Sequence, residues 1–146
     1  MIRVQTARFD PGDELASFMR AHAHAGGVAS FVGSVRDEGG SVIRLELSHY
    51  PDFTQRVVAA IGKDAAMRFA LLGYRIVHRY GSLAPGEPIV FVAAAAPHRR
   101  PALDAVEYLM DRLKTEAPFW KREHDARSGR WIEPTDADHA ARARWE

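Results

Sequence analysis

The chain has 146 residues and a mass of 16.3 kDa, a size at which one hydrophobic core suffices and a single domain is expected. Apolar residues make up 47% and charged residues 27%, which excludes an intrinsically disordered chain, and a formal net charge of +1 leaves no bulk field directing it to nucleic acid or membrane lipid. The cysteine count is zero, which excludes a disulfide framework, a thiolate metal site, an iron–sulfur cluster, a cysteine nucleophile and a persulfide carried on this chain.

Residues 1–9 predict a short strand. Their polar character lacks the apolar stretch of a signal peptide. Asp10-Pro11-Gly12-Asp13 opens a helix to about Ala23, with Leu15, Phe18 and Met19 on one face, and Gly26-Gly27 breaks it. Val28 to Val35 reads as a mostly buried strand ending at Arg36, followed by a turn at Asp37-Glu38-Gly39-Gly40-Ser41. The next strand alternates, with Ile43, Leu45, Leu47 and His49 facing one way.

Pro51-Asp52 starts a long helix to about Leu72, with Val57, Val58, Ile61, Ala65 and Phe69 as its core stripe and Gly73 as its C-terminal signal. Tyr74 to Tyr80 is a strand, residues 84–88 a turn, and Ile89 to Ala94 a strand buried on both faces or a buried helical segment. The longest apolar run, Ile89 to Ala96, is eight residues, against the ~20 needed to cross a bilayer. The chain therefore reads as soluble and cytoplasmic. Pro101 fits the first turn of a third helix, with Leu103, Val106, Met110, Leu113 and Ala117 inward, and Pro118 ends it. Beyond Trp131 the sequence is polar and reads as a tail or an arm. The pattern predicts a single α+β domain with a mainly antiparallel sheet and three main helices.

Arginine supplies 17 of the 20 cations; the three lysines are Lys63, Lys114 and Lys121. A primary ammonium can lose its proton and attack or shuttle, whereas a guanidinium stays charged. Lys114 and Lys121 lie seven residues apart around Pro118 and could converge on one pocket, with Phe119-Trp120 as its wall or as core. Alternatively, Lys114 simply complements the helix dipole with Asp111 in reach at i−3.

Pro97-His98-Arg99-Arg100 sits where a strand meets a helix N-terminus, a position that suits an anion, or else forms a solvated turn capped by His98. Gly33-Ser34-Val35-Arg36 presents an arginine at a strand end, as a ligand or as a solubilising rim. His49 continues an apolar face and reads as a core histidine. His22 and His24 have poor spacing for a metal on a helix, and no H-E-x-x-H, phosphate loop or dinucleotide fingerprint occurs, so no metal or cofactor is expected.

Taken in order, Gly33-Ser34-Val35-Arg36, His49-Tyr50-Pro51, His98-Arg99 and the segment Leu113 to Glu123 (LKTEAPFWKRE) resemble the large, catalytic subunit of molybdopterin synthase, from about Phe9 to Glu133. The resemblance implies an α/β-hammerhead-like domain over residues 1–133, with 134–146 as a polar C-terminal tail. It implies a sulfurtransferase of molybdenum cofactor biosynthesis that converts cyclic pyranopterin monophosphate to molybdopterin. The sulfur for the dithiolene comes from the C-terminal thiocarboxylate of a small ubiquitin-like subunit, and the large subunits pair as a homodimer. Lys114 is then the main catalytic residue and Lys121 assists it. Arg36, His98 and Arg99 hold the substrate phosphate, and Ser34, Val35, Arg122 and Glu123 line the site, with arginines lowering the lysine pKa values. Asp37 stands where asparagine is frequent in that family. A chain without cysteine needs another polypeptide to bring the sulfur. The competing reading is a module that docks a ubiquitin-like tail without chemistry, for which arginine would serve as well as lysine.

Overall fold

The segment Val90 to Ala96 is buried along its whole length because both faces of its strand are covered. In the computed structural model, which describes residues 1–37, 44–124 and 129–146 (of Arg130 the backbone only), it forms β6 (Pro88–Ala96). It is a strand, which settles the helix-or-strand ambiguity of that apolar run. β6 sits inside a four-stranded sheet of order β1-β4-β6-β2, with β1 (Ile2–Gln5), β2 (Gly27–Ser34) and β4 (Gly73–Arg79). Only β1 and β4 run parallel; the other pairings are antiparallel.

Alternation along β6 distributes its side chains between two helical layers. Val92 and Ala94 face α2 (Pro51–Arg68) and α3 (Arg99–Glu116), where they meet Val58, Ile61, Ala65, Ala105 and Leu109. Phe91, Ala93 and Ala95 face α1 (Pro11–Ala21) and pack on Phe18. Alanine at the centre of both faces leaves room for the large Phe18 and Leu109 side chains.

A second four-stranded sheet, all antiparallel, has the order β5-β3-β7-β8, formed by β3 (Arg44–His49), β5 (Gly81–Leu83), β7 (Phe119–His124) and β8 (Gly129–Ile132). Its own core is Val35, Leu45, Leu47 and Leu83, with Ile89 and Ile132 against it. The expected turn at Asp37 to Ser41, like Ile43, falls almost wholly on residues 38–43, outside the described residues.

The α+β class with mainly antiparallel pairing stands, but the described residues form four helices. The polar C-terminal stretch folds as α4 (Asp136–Ala143). Thr135 and Asp138 form a reciprocal capping box at its start. The helix packs on α3 through charge where an apolar stripe is lacking. Arg142 reaches Glu116 at 2.9 Å, Arg144 reaches Glu107 at 2.9 Å, and Trp145 Nε1 donates to Asp111 at 2.6 Å. The Trp145 ring stands edge-on to Tyr108 and Phe69.

β2 differs from its expected burial. Among the described residues it pairs with β6 alone, so it is an edge strand with Phe31 and Val32 exposed. α2 ends at Arg68, short of Leu72, in a left-handed residue that is not glycine: Ala70 has φ +49° and lets Leu71 N–H reach the Ala66 carbonyl at 3.0 Å. Gly73 instead begins β4. A Cβ there would lie 2.1 Å from His22 Nε2, so close packing is what calls for glycine.

Candidate active site

Pro118 controls how α3 and β7 meet. It holds Ala117 at φ −69° and ψ 126°, off the helix, and the chain enters β7 two residues later. Strand alternation then sorts the following residues: Phe119, Lys121 and Glu123 point to one side, and Trp120, Arg122 and His124 to the other. Lys121, held in register between Leu47 of β3 and Ile132 of β8, thereby faces the last turn of α3, where Lys114 projects.

The two amines open into one cavity of about 570 Å³. The end of β2 supplies Ser34, Val35 and Arg36 to its wall, β4 supplies His78, α3 supplies Met110 and Lys114, β7 supplies Lys121 and Glu123, and α4 with its cap supplies Thr135 and Asp138. Phe119 and Trp120 are not its walls. Phe119 stacks on His78 at 3.9 Å, and Trp120 stands edge-on to Tyr50 on the outer face.

Lys114 is half-exposed, and its Nζ lies 3.9 Å from Asp138 Oδ1. Asp111, the i−3 partner read from the sequence, is engaged by Arg144 and Trp145 instead. Lys121 is largely shielded from water. Burial pushes its ammonium down from 10.5 to about 8; the charge of Lys114 pushes the same way and Asp138 pulls back. Burial and a neighbouring lysine, then, do what the sequence reading assigned to arginines. At pH 7 a pKa of about 8 leaves roughly a tenth of Lys121 neutral.

Burial alone would raise the Asp138 carboxyl, but hydrogen bonds from the Thr135 N–H and hydroxyl, together with both lysines, hold it below its usual range. His78 is pushed down to about 4 by burial, against the hydrogen bond to the Arg79 carbonyl, and Lys121 and His49 add to the shift. It is a neutral imidazole whose Nδ1–H donates to that carbonyl at 2.8 Å. His49 packs between Tyr80 and Phe119 as a core residue would, yet its buried Nδ1 has no hydrogen-bond partner among the described residues.

Of the residues singled out from the sequence, Ser34, Val35, Arg36, Lys114, Lys121 and Glu123 share this cavity. Arg122, on the opposite face of β7, lies over the Trp131 ring at 5.5 Å. His98 and Arg99 are exposed at the far end of α3, about 22 Å from Lys114 for fifteen residues of helix. His98 occupies the N-cap position but makes no side-chain cap bond. Sequence reasoning missed Asp138, Thr135 and His78. A signal for the first two existed, since Thr135-Asp136-Ala137-Asp138 is a capping-box pattern. His78 carried no such mark.

The model of the MoaE protein family matches residues 4–116 of this chain. A protein of Caulobacter vibrioides named molybdopterin synthase catalytic subunit is 49% identical over 138 residues, covering 94% of this chain and 92% of its own length. A protein of the same name from Pseudomonas aeruginosa is 48% identical over 147 residues, covering 99% of this chain and 98% of its own. The solved structure described as molybdopterin biosynthesis MoaE protein from Burkholderia ambifaria superposes with a TM-score of 0.85 at 43% identity, covering 99% of this chain and 97% of that one. Fold and relatives together therefore define an enzyme subunit. The chain belongs to the MoaE protein family, whose members named above are molybdopterin synthase catalytic subunits.

Proposed function

We propose that this protein acts in molybdenum cofactor biosynthesis as the sulfurtransferase subunit that converts cyclic pyranopterin monophosphate to molybdopterin. The observation that carries the reading is the pairing of two amines in one cavity, one half-exposed and one buried with its pKa near 8. Burying an ammonium costs free energy that a passive docking groove has no reason to bear, because exposed arginines bind a carboxylate as well. A partly neutral amine beside a cationic one suits chemistry on an anionic sulfur donor: the cation receives the anion, and the free amine takes or gives a proton.

In this reading a small ubiquitin-like subunit inserts a thiocarboxylated C-terminus, as the word subunit in the relatives' names invites. Lys114, nearer the solvent, is the principal catalytic residue and meets that terminus. Lys121 assists from below, and Arg36, Ser34, Val35 and Glu123 shape the substrate side. If His98 and Arg99 hold the substrate phosphate, they do so for another copy of the chain, because α3 keeps them about 22 Å from their own Lys114. A homodimer of large subunits is therefore part of the proposal.

The test is reconstitution of the purified chain with a thiocarboxylated partner and the cyclic substrate. Formation of the dithiolene product is expected, with Lys114→Ala lowering the single-turnover rate by at least about 100-fold while the fold is unchanged. Partner binding without product from an intact cavity would replace this reading with the docking one.

A further inference from the structure

We infer that Asp138 is the positioning residue of the lysine pair: its carboxylate, fixed at the start of α4, orients the Lys114 ammonium over the cavity and balances the charge of the two amines. The inference rests on the catalytic reading of those amines and adds to it a residue from the polar C-terminal segment.

The two oxygens of Asp138 have separate tasks. Oδ2 accepts hydrogen bonds from the Thr135 N–H at 2.8 Å and the Thr135 hydroxyl at 2.9 Å, while the Asp138 N–H donates back to that hydroxyl at 3.2 Å. These bonds fix the plane of the carboxylate, and they leave Oδ1 to face Lys114 Nζ at 3.9 Å. A capping box needs only one oxygen at this position. The second is turned into the cavity, where no helix-end role accounts for it.

The helix is held firmly enough to make this placement meaningful. Arg142, Arg144 and Trp145 tie its last turn to Glu116, Glu107 and Asp111 of α3, the helix that carries Lys114. Asp138 and Lys114 are therefore mounted on two elements locked to each other. A flexible four-carbon stem gains a defined direction from such a partner.

The charged and titratable groups facing the pair are Lys114 on α3, Lys121 and Glu123 on β7, Arg36 after β2, and His78 on β4. His49 lies behind His78. Asp138 supports the charge of Lys121 against burial and Lys114.

The experiment compares the full-length wild type with Asp138→Asn, which keeps an acceptor oxygen for the Thr135 N–H, and with Asp138→Glu. Turnover is followed against pH with the thiocarboxylated partner and cyclic substrate, and the Lys121 side chain is titrated by NMR without either. Asp138→Asn is expected to lower the limiting rate about tenfold. It should also move the acid limb of the profile and the Lys121 titration to lower pH together, by roughly half a unit, because a counter-charge has gone. Asp138→Glu should restore both. A rate loss with an unmoved acid limb and an unmoved titration, or the same shift in Asp138→Glu, would reduce Asp138 to a helix cap and overturn the inference. Asp138→Gln set against Asp138→Glu repeats the comparison with two residues that a capping box accepts, should the asparagine variant fail to fold. If the wild type makes no product, the catalytic reading fails on its own, and the Lys121 titration still decides whether Asp138 acts on the pair.

Discussion

Replacing Lys121 by methionine removes an ammonium that the fold holds against its preference for water. The gap between 10.5 and about 8 corresponds to about 3 kcal/mol at 1.36 kcal/mol per pH unit. Methionine keeps an unbranched stem and needs no partner, so a net gain on the order of 1–2 kcal/mol remains after Asp138 loses one of its two cations. The sign of the pH dependence follows from the depressed folded value. Between about pH 8 and 10.5 the unfolded chain binds more protons at this residue than the native one, so wild-type stability rises with pH through that window. Below about pH 8 the whole penalty is present. Urea unfolding of both proteins at one fixed concentration, at pH 7 and at pH 10, isolates the lysine pair, because groups remote from the cavity titrate alike in the two chains. Lys121→Met should be the more stable protein at pH 7, and its advantage should shrink toward pH 10. Its turnover should fall at least about 100-fold. A variant less stable than wild type at pH 7, or a difference that does not change with pH, would refute the burial argument.

Two further substitutions test the frame that positions the site. Ala70→Gly relieves a left-handed alanine at φ +49° on the exposed end of α2 and should add roughly 0.5–1 kcal/mol, a rise of about 2–3 °C in thermal midpoint. Gly26→Ala would bring a Cβ within 1.9 Å of the Pro97 carbonyl oxygen, backbone that cannot swing aside. A loss of at least about 2 kcal/mol in urea unfolding is expected, and a neutral result would show that the β2 and β6 ends are not so closely apposed.

Where the sequence was legible, one local signal sufficed. Eight apolar residues from Ile89 to Ala96 can only be buried, and Pro101 and Pro118 bracket α3 by their own stereochemistry. Phe-Trp-Lys-Arg-Glu-His hid β7 because its inward-facing residues are Phe119, Lys121 and Glu123, a pattern that no hydrophobic alternation marks. α4 was hidden for a related reason. Asp-Ala-Asp-His-Ala-Ala-Arg-Ala has no apolar stripe, and the helix is fastened by ion pairs to residues of α3 some 25 to 40 positions earlier. The lysine pair could be read as a motif, but its counter-charge could not. Asp138 reaches the site only because α4 folds back on α3, and nothing local to Lys114 announces a carboxylate 24 residues downstream. Conversely, His98 and Arg99 share a helix with Lys114, yet the rise of that helix separates them.

The burial of Lys121 in a chain with only three lysines also makes the cavity chemically addressable. Acylating reagents consume neutral amines, and at pH 7 a lysine side chain with the ordinary pKa of about 10.4 offers only about 4 in 10,000 in that form. Lys121 offers some two hundred times more. A small activated ester at neutral pH therefore tags Lys121 ahead of an ordinary lysine, alongside the α-amine of Met1, which burial and Arg75 also hold below its usual value, and any molecule that fills the cavity protects Lys121 but not Met1 from the tag. Mass spectrometry of the labelled chain thus becomes an occupancy gauge that needs neither turnover nor a chromophore.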